Sequence, residues 1–135
     1  MATQLAVRAL FDALFARYGL SAGTFNVLML LRSEPGPVQP HQVAERLGIT
    51  RPTVTGLLGT LARRGYIDRR THPNDRRMAL LAIAPAGEAA LTQLLPEIAA
   101  LEQQAFAPLP ETDRRTLMTT LTRVREHAER LAAQR

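Results

Sequence analysis

The segment RPTVT, near the middle of the chain, combines a guanidinium group with small ring and hydroxyl side chains. An arginine can donate two hydrogen bonds to O6 and N7 of guanine, and a proline or threonine surface can contact the methyl group of thymine. We therefore consider Arg51, Pro52, Thr53 and Thr55 as candidates for contacting DNA bases, with Arg51 the strongest. The alternative interpretation is a solvated helix surface.

Further basic residues follow this segment. They are Arg63, Arg64, Arg69 and Arg70, and each could contact a DNA phosphate or simply carry surface charge. A second group is Asp75, Arg76 and Arg77. Arg77 is predicted to enter a minor groove, where a narrow groove concentrates negative potential, while Asp75 holds its guanidinium group. The alternative is a local Asp75–Arg77 pair that only shapes the turn.

The positive charge is concentrated in the middle third of the chain. The formal net charge is +5, and all 17 basic residues are Arg. Residues 40–84 hold eight of them against three acidic residues, and the rest of the chain is neutral overall. Such a patch predicts a polyanionic partner such as double-stranded DNA, with an ordinary basic surface as the alternative.

The residues that catalysis or metal binding would need are sparse. The chain has no Cys, and its three His, at positions 41, 72 and 127, stand apart in the sequence. HExxH, GxGxxG and phosphate-loop patterns are absent. We therefore predict neither an enzyme nor a bound metal or cofactor. His41, at an exposed helix start, fits a solvated or DNA-proximal side chain.

Composition also indicates where the protein works. The absence of Cys suits a reducing compartment. No apolar run approaches about 18 residues, the length of a membrane span, and the N-terminal sequence lacks the features of an export signal. We expect a cytoplasmic protein with no membrane partner.

Two short helices joined by a tight turn are predicted to carry RPTVT. Pro40 suits the first position of a helix, Gly48 closes that helix in a left-handed conformation, and Thr50 caps the next one. In the second helix an apolar stripe at positions 54, 57, 58 and 61 faces inward, which leaves the candidate base contacts outward. Gly65 ends this helix.

A β-hairpin is predicted next. Residues 66–70 and 78–83 are β-prone, and they flank the polar loop THPNDRR. The apolar second strand should pack against the helices, and the loop should lie in solvent. Two helices with a tight turn followed by a basic hairpin make a winged helix-turn-helix.

Both ends of the chain are predicted to be helical, with apolar residues along one face. A long terminal helix with an uncovered apolar stripe fits a subunit interface, which predicts a homodimer. The fold class is therefore mostly α with a small β-hairpin wing. We expect a single domain over 1–135, a winged helix-turn-helix core at 20–84, and dimerisation helices at 2–18 and 85–133.

Residues 38–87 resemble the winged-helix core of the MarR family of bacterial regulators. The specific features are AERLGI followed by RPTVT, an Asp-x-Arg pattern at Asp75 and Arg77, and the following APAG. The resemblance implies a homodimer whose terminal helices intertwine and whose recognition helices enter successive major grooves. It also implies control of nearby genes, often with release by a small aromatic or anionic ligand.

Three positions depart from the family pattern. Gly56 stands where the family often has Arg, Gly59 where it often has an acid, and Ala84 replaces the Thr that usually caps the next helix. The first change removes an expected DNA contact. Each glycine costs about 1 kcal/mol of helix propensity, and a lost cap costs about as much.

Aromatic residues near the N-terminus form the candidate ligand site. They are Phe11, Phe15, Tyr18 and Phe25, in the two helices expected between the dimer interface and the winged domain. An apolar crevice there could admit a small aromatic anion near Arg17 or Arg32. The alternative is that these aromatic side chains only fill the core.

Two functions are compatible with this sequence. The first is a ligand-responsive DNA-binding regulator that represses transcription. The second is a winged-helix dimer that serves as a protein-interaction or structural module without a specific operator. A regulator should prefer one palindromic sequence and lose affinity steeply with salt, whereas a module should bind DNA weakly at most.

Overall fold

The structure is a computed structural model that describes residues 2–72 and 74–133, with side chains described for 7–71, 74–75 and 78–131. Six helices and two strands lie within this part of the chain. In order they are α1 (Ala2–Arg17), α2 (Ala22–Ser33), α3 (Pro40–Leu47), α4 (Arg51–Arg63), β1 (Ile67–His72), β2 (Asp75–Ile83), α5 (Pro85–Ala105) and α6 (Glu111–Ala133). The predicted fold class, mostly α with a hairpin wing, is confirmed.

Local signals set the turn between α3 and α4. Gly48 adopts a left-handed conformation with φ of 62°, which glycine reaches without the penalty that a Cβ atom brings. The Thr50 hydroxyl then accepts a hydrogen bond from the Thr53 N–H at 3.4 Å and caps α4. After α4, Gly65 has a φ of 68°. The predicted helix-turn-helix is therefore confirmed.

The hairpin differs from its prediction in the length of its loop. We expected 71–77 to form the loop, but β1 and β2 continue pairing to Thr71 with Ala79 and His72 with Asp75 across a bulge. Backbone pairing sets where a strand ends, so turn-prone residue types inside a ladder do not by themselves open a loop. The predicted loop was too long.

The start of α5 packs tightly against the beginning of β1. The Ala84 N–H donates to the Tyr66 carbonyl at 3.0 Å, immediately before α5. A Cβ atom at Gly87 would lie 2.3 Å from the same carbonyl oxygen, closer than real contacts allow. Gly87 therefore permits α5 to approach the backbone that follows α4.

Residue contacts divide the chain into two compact units, with the boundary between Ile98 and Ala99. The first unit holds the winged helix-turn-helix, and its most buried large side chains are Val27, Leu28, Val43, Val54, Leu61, Leu81, Leu91 and Leu94. The second unit holds the end of α5 and all of α6. On α6 the apolar side chains of Met118, Leu121, Val124 and Leu131 remain exposed.

Over the described residues, no single helix is long and apolar enough to cross a bilayer. The segment Val7–Arg17 and α2 reach that length and hydropathy only when they are taken together, and the two helices are bent by 68° relative to each other.

Candidate nucleic-acid interface

The first turns of α4 present the predicted base-contacting side chains to solvent. Arg51, Pro52, Thr53 and Thr55 are all exposed, whereas Val54 among them is buried. α4 takes this orientation because the apolar stripe that begins at Val54 packs into the core of the first unit. The result is one polar helix face on a rigid support.

The two threonines on this face are held by α4 itself. The Oγ1 atoms of Thr50 and Thr53 lie 2.8 Å apart, and the Thr55 hydroxyl donates to the Arg51 carbonyl at 3.1 Å. The hydroxyl oxygens of Thr53 and Thr55 each retain a lone pair for an external donor. These side chains are therefore ordered before any partner arrives.

A cleft of about 360 Å³ lies between the starts of α3 and α4 and the hairpin. His41 from α3, Arg51 from α4 and Arg69 from β1 all line it. The hairpin reaches this position because the Val38 and Leu81 backbones exchange hydrogen bonds of 2.8 and 2.9 Å just before α3. Three side chains that can carry positive charge thus line one cleft.

This convergence could not be predicted from spacing alone. His41 and Arg51 lie near the starts of the two successive helices α3 and α4. Arg69 comes from β1, and the position of the hairpin depends on the pairing of Val38 with Leu81. Val38 and Leu81 are both apolar and buried, as this pairing requires. Their apolar character is the sequence signal for the pairing, but many other apolar residues in the chain share it.

The adjacent arginines at the end of α4 have different surroundings. The Arg63 side chain is exposed and donates to the Thr60 hydroxyl at 3.2 Å. The Arg64 guanidinium lies directly over Gly19, where an added Cβ atom would be 2.0 Å from it. Both residues are exposed, but Arg64 also contacts the turn between α1 and α2.

The wing-tip residues follow the bulge in the hairpin. Asn74 is exposed and Asp75 is partly buried at the start of β2. Arg76 and Arg77 belong to β2. Their side chains lie outside the described residues, so the Asp75–Arg77 arrangement and the minor-groove contact stay predictions.

The predicted ligand residues include a packed aromatic cluster. The Phe15 ring stacks on Phe25 with centroids 4.9 Å apart, and Phe11 lies 6.3 Å from Phe15. Phe15 is buried, whereas Phe11 and Phe25 are partly exposed. This packing agrees with the alternative that these rings fill the core, and the ligand site stays a prediction.

Both arginines near this cluster are paired with carboxylates of α5. Arg17 Nη1 lies 2.7 Å from Glu97 Oε2, and Arg32 Nε lies 3.3 Å from Glu88 Oε2. Glu97 also accepts a hydrogen bond from the Tyr18 hydroxyl. That hydrogen bond raises the pKa of the Tyr18 phenol, with a smaller contribution from desolvation. An anionic ligand would have to compete with these carboxylates.

Within the described part of the chain, no three His, Cys, Asp or Glu side chains come together in a way that could hold a metal ion.

Comparison with known proteins agrees with this geometry. The sequence profile of the MarR family matches residues 18–78. The transcriptional repressor YetL of Bacillus subtilis is 42% identical over 83 residues, which cover 61% of this chain and 50% of YetL. The chain thus spans about half the length of that relative. The transcriptional regulator PecS of Dickeya dadantii is 30% identical over 118 residues, which cover 86% of this chain and 71% of PecS.

Solved structures extend the likeness over nearly the whole chain. The crystal structure of the PcaV transcriptional regulator from Streptomyces coelicolor has a TM-score of 0.80 at 29% identity, covering 93% of this chain and 91% of PcaV. A crystal structure of PcaV with its natural ligand has a TM-score of 0.76 at 28% identity, covering 94% of this chain and 89% of PcaV. Sequence and structure together show that the chain belongs to the MarR family.

Proposed function

We propose that this protein is a sequence-specific DNA-binding transcriptional regulator that acts as a homodimer on a pseudo-palindromic operator. The observation that carries the proposal is the exposed face of α4, with Arg51 beside the basic hairpin and Val54 buried behind it. A helix held in this way can enter a major groove while the wing contacts the adjacent backbone. The regulatory names of YetL and PecS support the same assignment.

The exposed residues would divide into two roles. Arg51 would contact a base edge, and Pro52, Thr53 and Thr55 would contact neighbouring bases. Arg63 would contact phosphate, and the wing residues Asp75, Arg76 and Arg77 would lie at the minor groove. Since Arg64 lies over Gly19, we expect it to contribute less to phosphate binding than Arg63.

Selection of bound sequences from a random duplex pool tests this proposal. We expect recovery of one palindromic sequence whose half-sites are about one helical turn, roughly 34 Å, apart. Affinity for that duplex should fall steeply with salt while exceeding the affinity for random duplex. A pool that remains random after selection would favour the protein-interaction module instead.

We also propose that the regulator is a repressor released by a small aromatic or anionic ligand. YetL is named a repressor, and PcaV has been crystallised with its natural ligand. A ligand can lower DNA affinity only by binding the DNA-free form more tightly, so DNA must lower ligand affinity by the same factor. The Arg17–Glu97 and Arg32–Glu88 pairs are the contacts that an anionic ligand near α5 would rearrange.

Titration of phenolic acids with and without the selected duplex tests this second proposal. We expect weaker ligand binding in the presence of DNA. Equal ligand affinity in both cases would contradict release by that ligand, and failure of the whole panel to bind would favour a regulator that needs no effector.

A further inference from the structure

The cleft between α3, α4 and the hairpin has an unusual combination of side chains. Arg51 and Arg69 carry permanent positive charge, and His41 is exposed beside them. Gln39 and Thr55 add polar groups, and none of the described residues that line the cleft is acidic. The cleft is therefore suited to an anion.

We propose that this cleft receives a phosphate of the DNA backbone and that protonated His41 is one of its contacts, so that DNA binding takes up a proton. This inference rests on the proposed DNA-binding function and assigns His41 and Arg69, both already expected near DNA, to one backbone phosphate. It makes DNA affinity depend on pH as well as on salt.

The position of His41 supports a backbone contact. His41 is the second residue of α3, the helix that precedes α4, and in a helix-turn-helix the first helix crosses the DNA backbone while the second enters the groove. Arg51, which also lines the cleft, is expected at the base edges. A phosphate next to those bases would therefore lie within reach of α3 and of β1.

Charge complementarity gives the direction of the pH effect. Among the residues whose side chains are described, Arg51 of α4 and Arg69 of β1 are the charged groups that line the cleft with His41, and Glu45 follows His41 by one turn of α3. A phosphodiester offsets the repulsion between an imidazolium and two guanidinium groups. Histidine side chains change charge between about pH 5 and pH 8, so affinity should rise as the pH falls through that range.

The test measures binding of a mixed-sequence duplex of about two helical turns by fluorescence anisotropy at constant ionic strength. When the pH is lowered from about 7.5 to about 5.5, we expect the wild-type protein to bind the duplex about three- to tenfold more tightly. The slope of log affinity against log salt should become steeper at the lower pH by about 0.9 for each imidazolium that meets a phosphate. A purely structural role would not change this slope.

Variants of all three histidines assign the effect. His41→Gln should lose the pH dependence, and His41→Arg should bind tightly at both pH values. His72→Gln and His127→Gln should behave like the wild-type protein. Because His41 is exposed, none of its variants should change the thermal unfolding midpoint appreciably, which circular dichroism checks at each pH.

Two results would overturn the inference. One is affinity independent of pH in the wild-type protein, and the other is a pH dependence that persists in His41→Gln or disappears in His72→Gln. Failure to bind any duplex at either pH would instead contradict the proposed DNA-binding function itself.

Discussion

α4 and α6 are both amphipathic helices, but their apolar faces have different surroundings. Leu61 on α4 is fully buried, whereas Leu121 and Val124 on α6 are 52% and 61% exposed. Clustered apolar side chains left exposed on one face of a helix mark a surface for another chain. α4 is thus held by its own unit and offers a polar face to a partner, whereas α6 offers its apolar face.

The largest effect should come from the buried face of α4. Leu61→Ala should lower the free energy of unfolding by about 2–5 kcal/mol, because it leaves a cavity in the core. Urea denaturation followed by circular dichroism measures this loss. The matched variant Leu121→Ala should lower the free energy of unfolding by an amount that shrinks as the protein is diluted, because Leu121 is expected to be buried only in the dimer. A smaller loss for Leu61→Ala than for Leu121→Ala at every concentration would contradict the comparison.

The exposed face of α6 gives the next effect. Light scattering of the wild-type protein should report twice 14.9 kDa. Leu121→Asp should yield the monomer at micromolar concentration, because a two-fold interface loses two leucines worth about 1.5–3 kcal/mol each and gains two charges. Thr119→Asp, on another side of α6, is the control and should remain dimeric. A monomeric wild-type protein would contradict the homodimer.

The two helices also differ in how much of their role the sequence could predict. The limits of α4 follow from a threonine cap and a left-handed glycine, which act within a few residues. Its buried stripe follows from helical spacing. The apolar stripe of α6 was equally predictable, but the surface proposed to cover it belongs to a second copy of the chain and has no local signal.

The candidate site was predictable in its residue types and less so in its arrangement. Arg63 and Arg64 are neighbours of the same type, but Arg63 donates to Thr60 in its own helix, whereas Arg64 lies over the distant Gly19. Arg17 is paired with Glu97, eighty positions away. Such contacts depend on how the helices pack, so spacing along the chain cannot reveal them.

Substitutions on the polar face of α4 should have different effects on DNA binding. Arg51→Ala should weaken operator binding by about 1–3 kcal/mol and relax the preference at one position in each half-site, because a base contact carries sequence information. Arg63→Ala should weaken binding to all duplexes alike and reduce the salt slope by about 1. Competition between selected and random duplexes measures both. An equal loss on both duplexes for Arg51→Ala would contradict its role at a base edge.

The smallest effect should come from Gly56, the helical glycine on the exposed side of α4. A Cβ atom there would meet nothing within 4 Å, so Gly56→Ala should raise the free energy of unfolding by about 0.5–1 kcal/mol through helix propensity. The same variant should leave DNA affinity nearly unchanged. Gly56→Arg should give a similar gain in stability and also tighten binding to every duplex, with a steeper salt slope, because it adds a cation to the groove-facing surface. Urea denaturation and anisotropy on the two variants separate these contributions. If Gly56→Arg leaves the salt slope unchanged, this side of α4 does not face DNA.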